Sequence, residues 1–417
     1  MNKKQILKYY NDNRLLCNCI CIAILFFVNC FVQDFSILTF IIVAMMILLS
    51  DMSTGFSMLV FTIPYCCLDG YISVLMFFGT FLVFLIKGYY IYVKVDKKKT
   101  HWMISAGVLA FLIYSLLPIG EYNSGLFIKL GIIILLVLFF NLFMNYRKEM
   151  SIKNNLAVLA LSLMISAVFY LTYFVSPYIR AKEIWYYGDS FIRFTCLLIN
   201  PNTLAMICEI CLSLLTYFVI SGKSTWIDII SFIIYTVLGL STISKTFLIL
   251  LSLMFIILLI YVLRKFKKQI FWIVIGICGV ILFLVLFKND FIYTYLGRFL
   301  TENPEDKTAS EIINGVTTGR FELWMGVISY MIMNPLVLIF GRGLGEPLIQ
   351  SLSAHNFYVS LVYELGLVGA LLFLWMFVSI FIVFYKKHKV RTGWAILIPL
   401  VVIGMLMMVE DLFLYIY

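Results

Sequence analysis

Charge is what this sequence lacks. Asp, Glu, Lys and Arg make up only 12% of its 417 residues, hydrophobic residues make up 63%, and the mean hydropathy is +1.05. Soluble domains are normally about a quarter charged and about half apolar. No soluble core hides this much apolar surface, so the composition excludes a soluble globular enzyme and implies a polytopic membrane protein. Acids are scarcer than bases, 21 against 31, which leaves a net charge of +10. That balance does not point to nucleic acid, because the bases fall in short loops between apolar runs. The loops hold Lys3, Lys4, Lys8 and Arg14; Lys94 and Lys97 to Lys99; Arg147, Lys148 and Lys153; Arg264 to Lys268; and Lys386 to Arg391. All five lie on one side if the helices alternate, and the positive-inside rule makes that side, with the N-terminus, cytoplasmic.

Other absences narrow the classes further. No A-x-A-like site follows the first apolar run, Leu15 to Phe31, which reads as an uncleaved first helix. Cys17, Cys19, Cys21, Cys30, Cys66, Cys67 and Cys278 lie in or beside apolar runs, and Cys208 and Cys211 have no second Cys or His pair nearby. They read as small buried hydrophobes, so neither a metal site nor a cofactor is expected. There is no D-x-D, no internal repeat and no low-complexity domain.

What remains is apolar helix, and aromatic residues are 17% of the whole sequence, which suits interfacial belts of Trp and Tyr. A span needs about 20 apolar residues. On that measure spans are predicted at about 15–32, 35–50, 54–69, 71–93, 101–119, 125–145, 155–175, 203–221, 226–241, 246–263, 270–287, 355–385 and 394–414. The expected architecture is an all-α polytopic membrane protein of about 12–14 transmembrane helices, a single integral membrane domain over residues 1–417. Parity puts the longest non-membrane segment, residues 288–353, outside the cytoplasm. Its apolar run, Phe321 to Phe340, reads as a surface-lying or partly inserted helix ended by Asn334-Pro335 or by the glycines beyond.

The residues with chemical potential crowd that outer side. His355 opens a span, where the positive end of the helix favours an anion and an imidazole can donate to phosphate or take a proton from a hydroxyl. Asn356 stands beside it. Arg320 and Arg342 lie in Thr-Gly-Arg and Gly-Arg-Gly contexts, where glycine lets backbone approach a ligand and guanidinium offers planar donors to phosphate. Lys245, in the outer turn 241–246, is a fourth candidate cation, with helix-end snorkelling as its plainer role. Arg193 and Arg180 share an outer segment with Glu183 and Asp189. Glu209, Glu364, Glu410 and Asp411 are acids in or at the ends of spans, where ionisable groups are costly and default to function. Glu364 lies nine residues after His355 and faces the opposite side of an ideal helix. Gly366 and Gly369 allow close packing.

His355-Asn356, nine residues, then Gly366-Leu367-Val368-Gly369 resembles the H-[NSQ]-x9-G-x-x-G signature of the O-antigen ligase and Wzy-type polymerase superfamily. Asn200 to Ala205 (NPNTLA), Ser241 to Thr246 (STISKT) and Thr318 to Trp324 (TGRFELW) also look like that family, so the resemblance covers about residues 195–411 of the chain. It implies a GT-C-like, metal-independent glycosyltransferase working on a polyprenyl-diphosphate-linked oligosaccharide at the outer face of the bacterial cytoplasmic membrane. A capsule or O-antigen polymerase is the expectation, with a flippase and a chain-length regulator as expected partners. The family's loop histidine maps to His355 and its loop arginine to Arg320, both catalytic. Arg342, Lys245, Asn356, Asn202, Arg193 and Glu410 are the substrate-binding candidates. Lys245 departs from the family's usual arginine and keeps only a point charge.

Three rivals stand beside that reading. One is the ligase branch of the same superfamily. Another is a lipid-linked oligosaccharide transporter, which normally shows repeats and broken midplane helices. The last is a glycosyltransferase using Asp34 in the first outer loop as base.

Overall fold

The computed structural model describes residues 13–32, 35–68, 71–95, 111, 113–114, 124–146, 149–171, 194–198, 200–265, 320–343, 356–387 and 397–407. All regular structure among them is helical. The helices are α1 (Arg14–Asn29), α2 (Phe35–Leu49), α3 (Met52–Thr62, continued by a 3₁₀ turn Ile63–Tyr65), α4 (Tyr71–Val95), α5 (Ser124–Tyr146), α6 (Ile152–Leu171), α7 (Pro201–Ile220), α8 (Trp226–Ser241), α9 (Lys245–Lys265), α10 (Arg320–Met333), α11 (Pro335–Phe340), α12 (Phe357–Lys387) and α13 (Leu397–Met407). Five contain stretches long and apolar enough to cross a membrane: Ile72–Ile91, Ile152–Tyr170, Pro201–Ile220, Lys245–Val262 and Phe357–Trp375. Shorter apolar helices accompany them at Arg14–Asn29, Phe35–Leu49, Leu130–Phe143, Trp226–Ser241 and Leu397–Leu406. The expected spans near 270–287 and over most of 101–119 lie outside the described residues. The protein is an all-α polytopic membrane protein.

The chain divides into two compact units, Met1–Lys98 with Leu138–Leu251, and Lys99–Val137 with Ser252–Tyr417. In the first, α2 packs on α4, and α6, α7 and α8 pack in succession. Lipid tails offer no hydrophobic drive between helices, so close packing and internal polar bonds hold such units together. Those bonds are present. Thr39 donates to Asn29 Oδ1 at 3.0 Å, Ser162 donates to the Phe61 carbonyl at 2.5 Å, and Tyr235 donates to the Leu156 carbonyl at 2.6 Å. Phe26 stacks on Tyr65 with ring centroids 4.4 Å apart.

Helix ends follow their sequence signals. The last carbonyls of α2 receive cations: Arg14 donates to Leu49 O at 2.7 Å, and Lys87 donates to Ile47 O at 2.6 Å and to Ser50 O. Asp51 then caps α3, accepting from the Thr54 amide and hydroxyl at 2.8 Å each. Burial works against the Asp51 carboxylate, but the Thr54 donors, its own backbone N–H and the Arg14 charge together hold its carboxyl below the ordinary range. Thr225 and Asp228 form a capping box at the start of α8, and Lys153 reaches Asp228 at 3.0 Å, tying the start of α6 to that of α8.

In the second unit, Phe111, Phe357, Leu361 and Leu365 form one core cluster, and Val327, Met331 and Tyr363 form another. The second cluster joins α10 to α12. The apolar run from Phe321 to Phe340 is a bent pair of helices, because Pro335 has no N–H to continue α10 and instead starts α11.

Candidate functional site

In the first unit, two of the singled-out stretches share one corner. Asn200 caps α7, its side-chain oxygen accepting from the Asn202 amide at 2.8 Å, and Pro201 fits the first helical position. The short turn from α7 to α8 makes the two antiparallel, so the start of α7 lies at the same end as the turn at 241–244. The segment before α7 confirms this contact, since the Phe194 amide donates to Ser241 O at 3.2 Å. The turn is tight, with Ile243 at φ 52°. Its hydroxyls are used locally: Ser241 donates to Leu238 O at 2.6 Å, Thr242 donates to Gly239 O at 2.7 Å, and Ser244 Oγ accepts from the Phe247 amide at 3.4 Å. Gly239 leaves room for the Phe247 ring, which a Cβ there would enter. The serines and threonine of this stretch therefore build the turn. Lys245 is half-buried at the first position of α9, and Asn202 is half-buried in the first turn of α7.

In the second unit, the organising feature is a break in α12. Gly366 takes φ 65°, ψ −176°, and divides the helix into Phe357–Leu365 and Leu367–Lys387. The chain leaving α11 passes through this break. Gly341 takes φ 80°, the Arg342 amide donates to Tyr363 O at 2.9 Å, and the Gly343 amide donates to Glu364 O at 2.8 Å. Each glycine faces the other's backbone: a Cβ on Gly341 would overlap the Glu364 carbonyl, and one on Gly366 would overlap that of Ile339. The crossing sets the position of Arg342, whose guanidinium lies 5.9 Å over the Tyr330 ring and donates to its hydroxyl at 3.1 Å. Tyr330 in turn lies 6.2 Å from the ring of Tyr363. Tyr114 donates to the Phe340 carbonyl at 2.9 Å, supporting the last turn of α11.

Arg320 is the first residue of α10, half-buried, with Glu322 in the same turn. Tyr330 is ten residues along, so Arg320 and the Arg342 anchor are separated by about 15 Å of helix. Arg320 and Lys245 thus both begin a helix, where the positive dipole end disfavours a cation by about 0.3–1 kcal/mol. Side chains set against the local preference are expected where function outweighs helix stability.

Asn356 is 6% exposed and caps α12, its side-chain oxygen accepting from the Tyr358 and Val359 amides at 3.0 and 3.2 Å. That cap fixes the helix start directly after His355. Glu364 is 2% exposed, with its backbone carbonyl inside the crossing. His355, Arg193 and Glu410 lie outside the described residues, as do Arg180, Glu183, Asp189 and Asp411. The sequence reading missed Tyr330 and the pairing of Gly341 with Gly366. Gly-Arg-Gly was legible as a place of close approach, although nothing local showed that the approaching partner is α12.

Residues 229–374 match a family model described as O-antigen ligase. The match includes Lys245, Arg320, Arg342, His355, Asn356 and both crossing glycines, and leaves out Arg193, Asn202 and Glu410. No curated protein and no solved structure matches this chain.

Proposed function

We propose, for a chain whose residues 229–374 match a family model described as O-antigen ligase, that it polymerises a bacterial surface polysaccharide, a capsule or an O-antigen. The coarse chemistry of that family is glycosyl transfer from a lipid-linked saccharide within a membrane. In the proposed reaction, an acceptor sugar hydroxyl of one lipid-linked repeat unit attacks the anomeric carbon of the glycan on another. The new C–O glycosidic bond forms as the anomeric carbon–diphosphate oxygen bond breaks, and polyprenyl diphosphate leaves with that electron pair. His355 accepts the hydroxyl proton, at the anion-favouring start of α12. Arg320 and Arg342 neutralise the charge developing on the diphosphate. The work takes place on the outer face, with the N-terminus in the cytoplasm.

The observation that carries the reading is the family match enclosing the whole His355-to-Gly369 signature. A specific observation also favours a second reading. The matched family is described as ligase, and a ligase hands a finished glycan to a different acceptor. One experiment separates them: purified protein is incubated with lipid-linked repeat units, with and without EDTA. Ladders of increasing length in both reactions are expected. Single units that never lengthen, but pass to an added lipid acceptor, would favour the ligase.

A further inference from the structure

We infer that α10 and α11 form a re-entrant hairpin whose tip is buried in the hydrocarbon of the outer leaflet beside α12. The assignment of the leaflet rests on the orientation proposed above; the insertion itself rests on the following geometry. From Leu323 to Phe340 there is no Asp, Glu, Lys, Arg or His, while Arg320 and Glu322 stand at one end and Arg342 at the other. An apolar run with charge only at its two ends suits a segment that enters and leaves a bilayer by the same face. The tip presents Ile332, Met333 and Leu336 at 64, 80 and 72% exposure, an apolar patch of the kind that marks a membrane or partner contact.

Polar groups at the bend find partners within it, the arrangement hydrocarbon favours. Pro335 has no N–H, the Asn334 side chain donates to Tyr330 O at 2.8 Å, and Asn334 O accepts from the Val337 amide at 2.9 Å. The depth is fixed by α12. Arg342 and Gly343 bond to carbonyls six and seven residues past the first residue of that span, about 10 Å along it. Non-helical backbone at such a depth is tolerated only where protein covers it, which the glycine crossing provides. Below the crossing, α12 turns Leu367, Leu371 and Leu374 outward, with helical spacing and 45 to 65% exposed, so an apolar outer face continues beneath the crossing. Arg342 then reaches the headgroup boundary from within the leaflet, its stem covered and its guanidinium held on Tyr330.

The test uses full-length protein in sealed vesicles of defined orientation and a membrane-impermeant maleimide, with the label located by peptide mass spectrometry. In right-side-out vesicles Glu322→Cys is expected to label readily. Met333→Cys is expected to label at least tenfold more slowly until detergent is added, and Leu336→Cys gives an independent second reading of the tip. Equal labelling of Glu322→Cys and Met333→Cys in intact vesicles would overturn the hairpin. Protection of Met333→Cys that persists in detergent would overturn it too, by showing the tip covered by protein, such as a second copy. Labelling of Glu322→Cys only in inside-out vesicles would overturn the outer-leaflet assignment and the orientation under the proposed function, while slow tip labelling there would leave the insertion standing.

Discussion

The turn at 241–244 in the first unit and the crossing at 341–343 in the second both put residues in the left-handed region. In one it is Ile243, at φ 52°; in the other it is Gly341, Gly343 and Gly366, at φ 80°, 111° and 65°. A β-branched residue there costs about 1–2 kcal/mol. Ile243 carries that cost because its side chain is buried, 8% exposed, and the hydroxyls of Ser241 and Thr242 before it and Ser244 after it hold the turn. At the crossing the obstacle is of another kind, since any Cβ would occupy space already filled by backbone. One site works against a conformational preference, and the other is closed to every side chain. Strain of the first kind tolerates substitution, and exclusion of the second kind does not.

The largest expected effect tests this contrast directly. Gly366→Ala should remove the folded protein, or lower its stability by more than about 4 kcal/mol, the exceptional range for one substitution. Size-exclusion and thermal melting in detergent would read it. Gly341→Ala should match it, and the double variant should lose no more than either single one, because both act on one contact. A fully folded Gly366→Ala protein would break the comparison.

Chemistry should separate from scaffold at His355, one residue before the α12 cap. Under the proposed function, His355→Ala lowers polymer formation by about 10²–10⁴-fold, with an unchanged melting temperature. An equal fall in stability would return His355 to the scaffold. Tyr330→Phe keeps the ring under Arg342 and removes the hydroxyl that accepts from it. The expected loss is about 0.5–1.5 kcal/mol of interaction, read as a fall in kcat/KM for the lipid donor of about two- to tenfold. Ile243→Gly should relieve strain and forfeit buried packing, for a net loss of about 1–2 kcal/mol by thermal melting.

The smallest effect lies far from both features. Asp51→Ala should cost about 1 kcal/mol through loss of the α3 cap, with activity unchanged. The folded-state pKa of Asp51 is depressed, so its contribution is complete above about pH 4 and fades as pH falls through the folded value. Wild type should therefore lose its stability margin over the variant in acid.

Helices were legible in the sequence because apolar length and basic loops report them directly. The expected span at 226–241 coincides with α8, and that at 35–50 with α2 to within one residue. The cationic candidates were legible as types, since Arg320, Arg342 and Lys245 interrupt long apolar runs. Their neighbours were not. Arg342 meets Tyr330 twelve residues upstream and Tyr363 twenty-one residues downstream, and no periodicity links those positions. Gly366 read as a packing glycine for neighbouring helices; it admits a neighbour's backbone by breaking its own helix. The hydroxyls of 241–244 drew no reading in sequence, and each is used locally to build the turn. Asn356 looked available to substrate, and its carbonyl oxygen is used as a cap.

The two amide bonds at the crossing also have a kinetic meaning. Backbone protons in a chain segment between helices normally exchange with solvent at nearly unprotected rates, while those in a buried helix wait for a larger opening. Because the amides of Arg342 and Gly343 end on α12 carbonyls, their protons should exchange in step with α12. Deuterium uptake at these two positions would thus time how often α12 parts from the arm that carries Arg342.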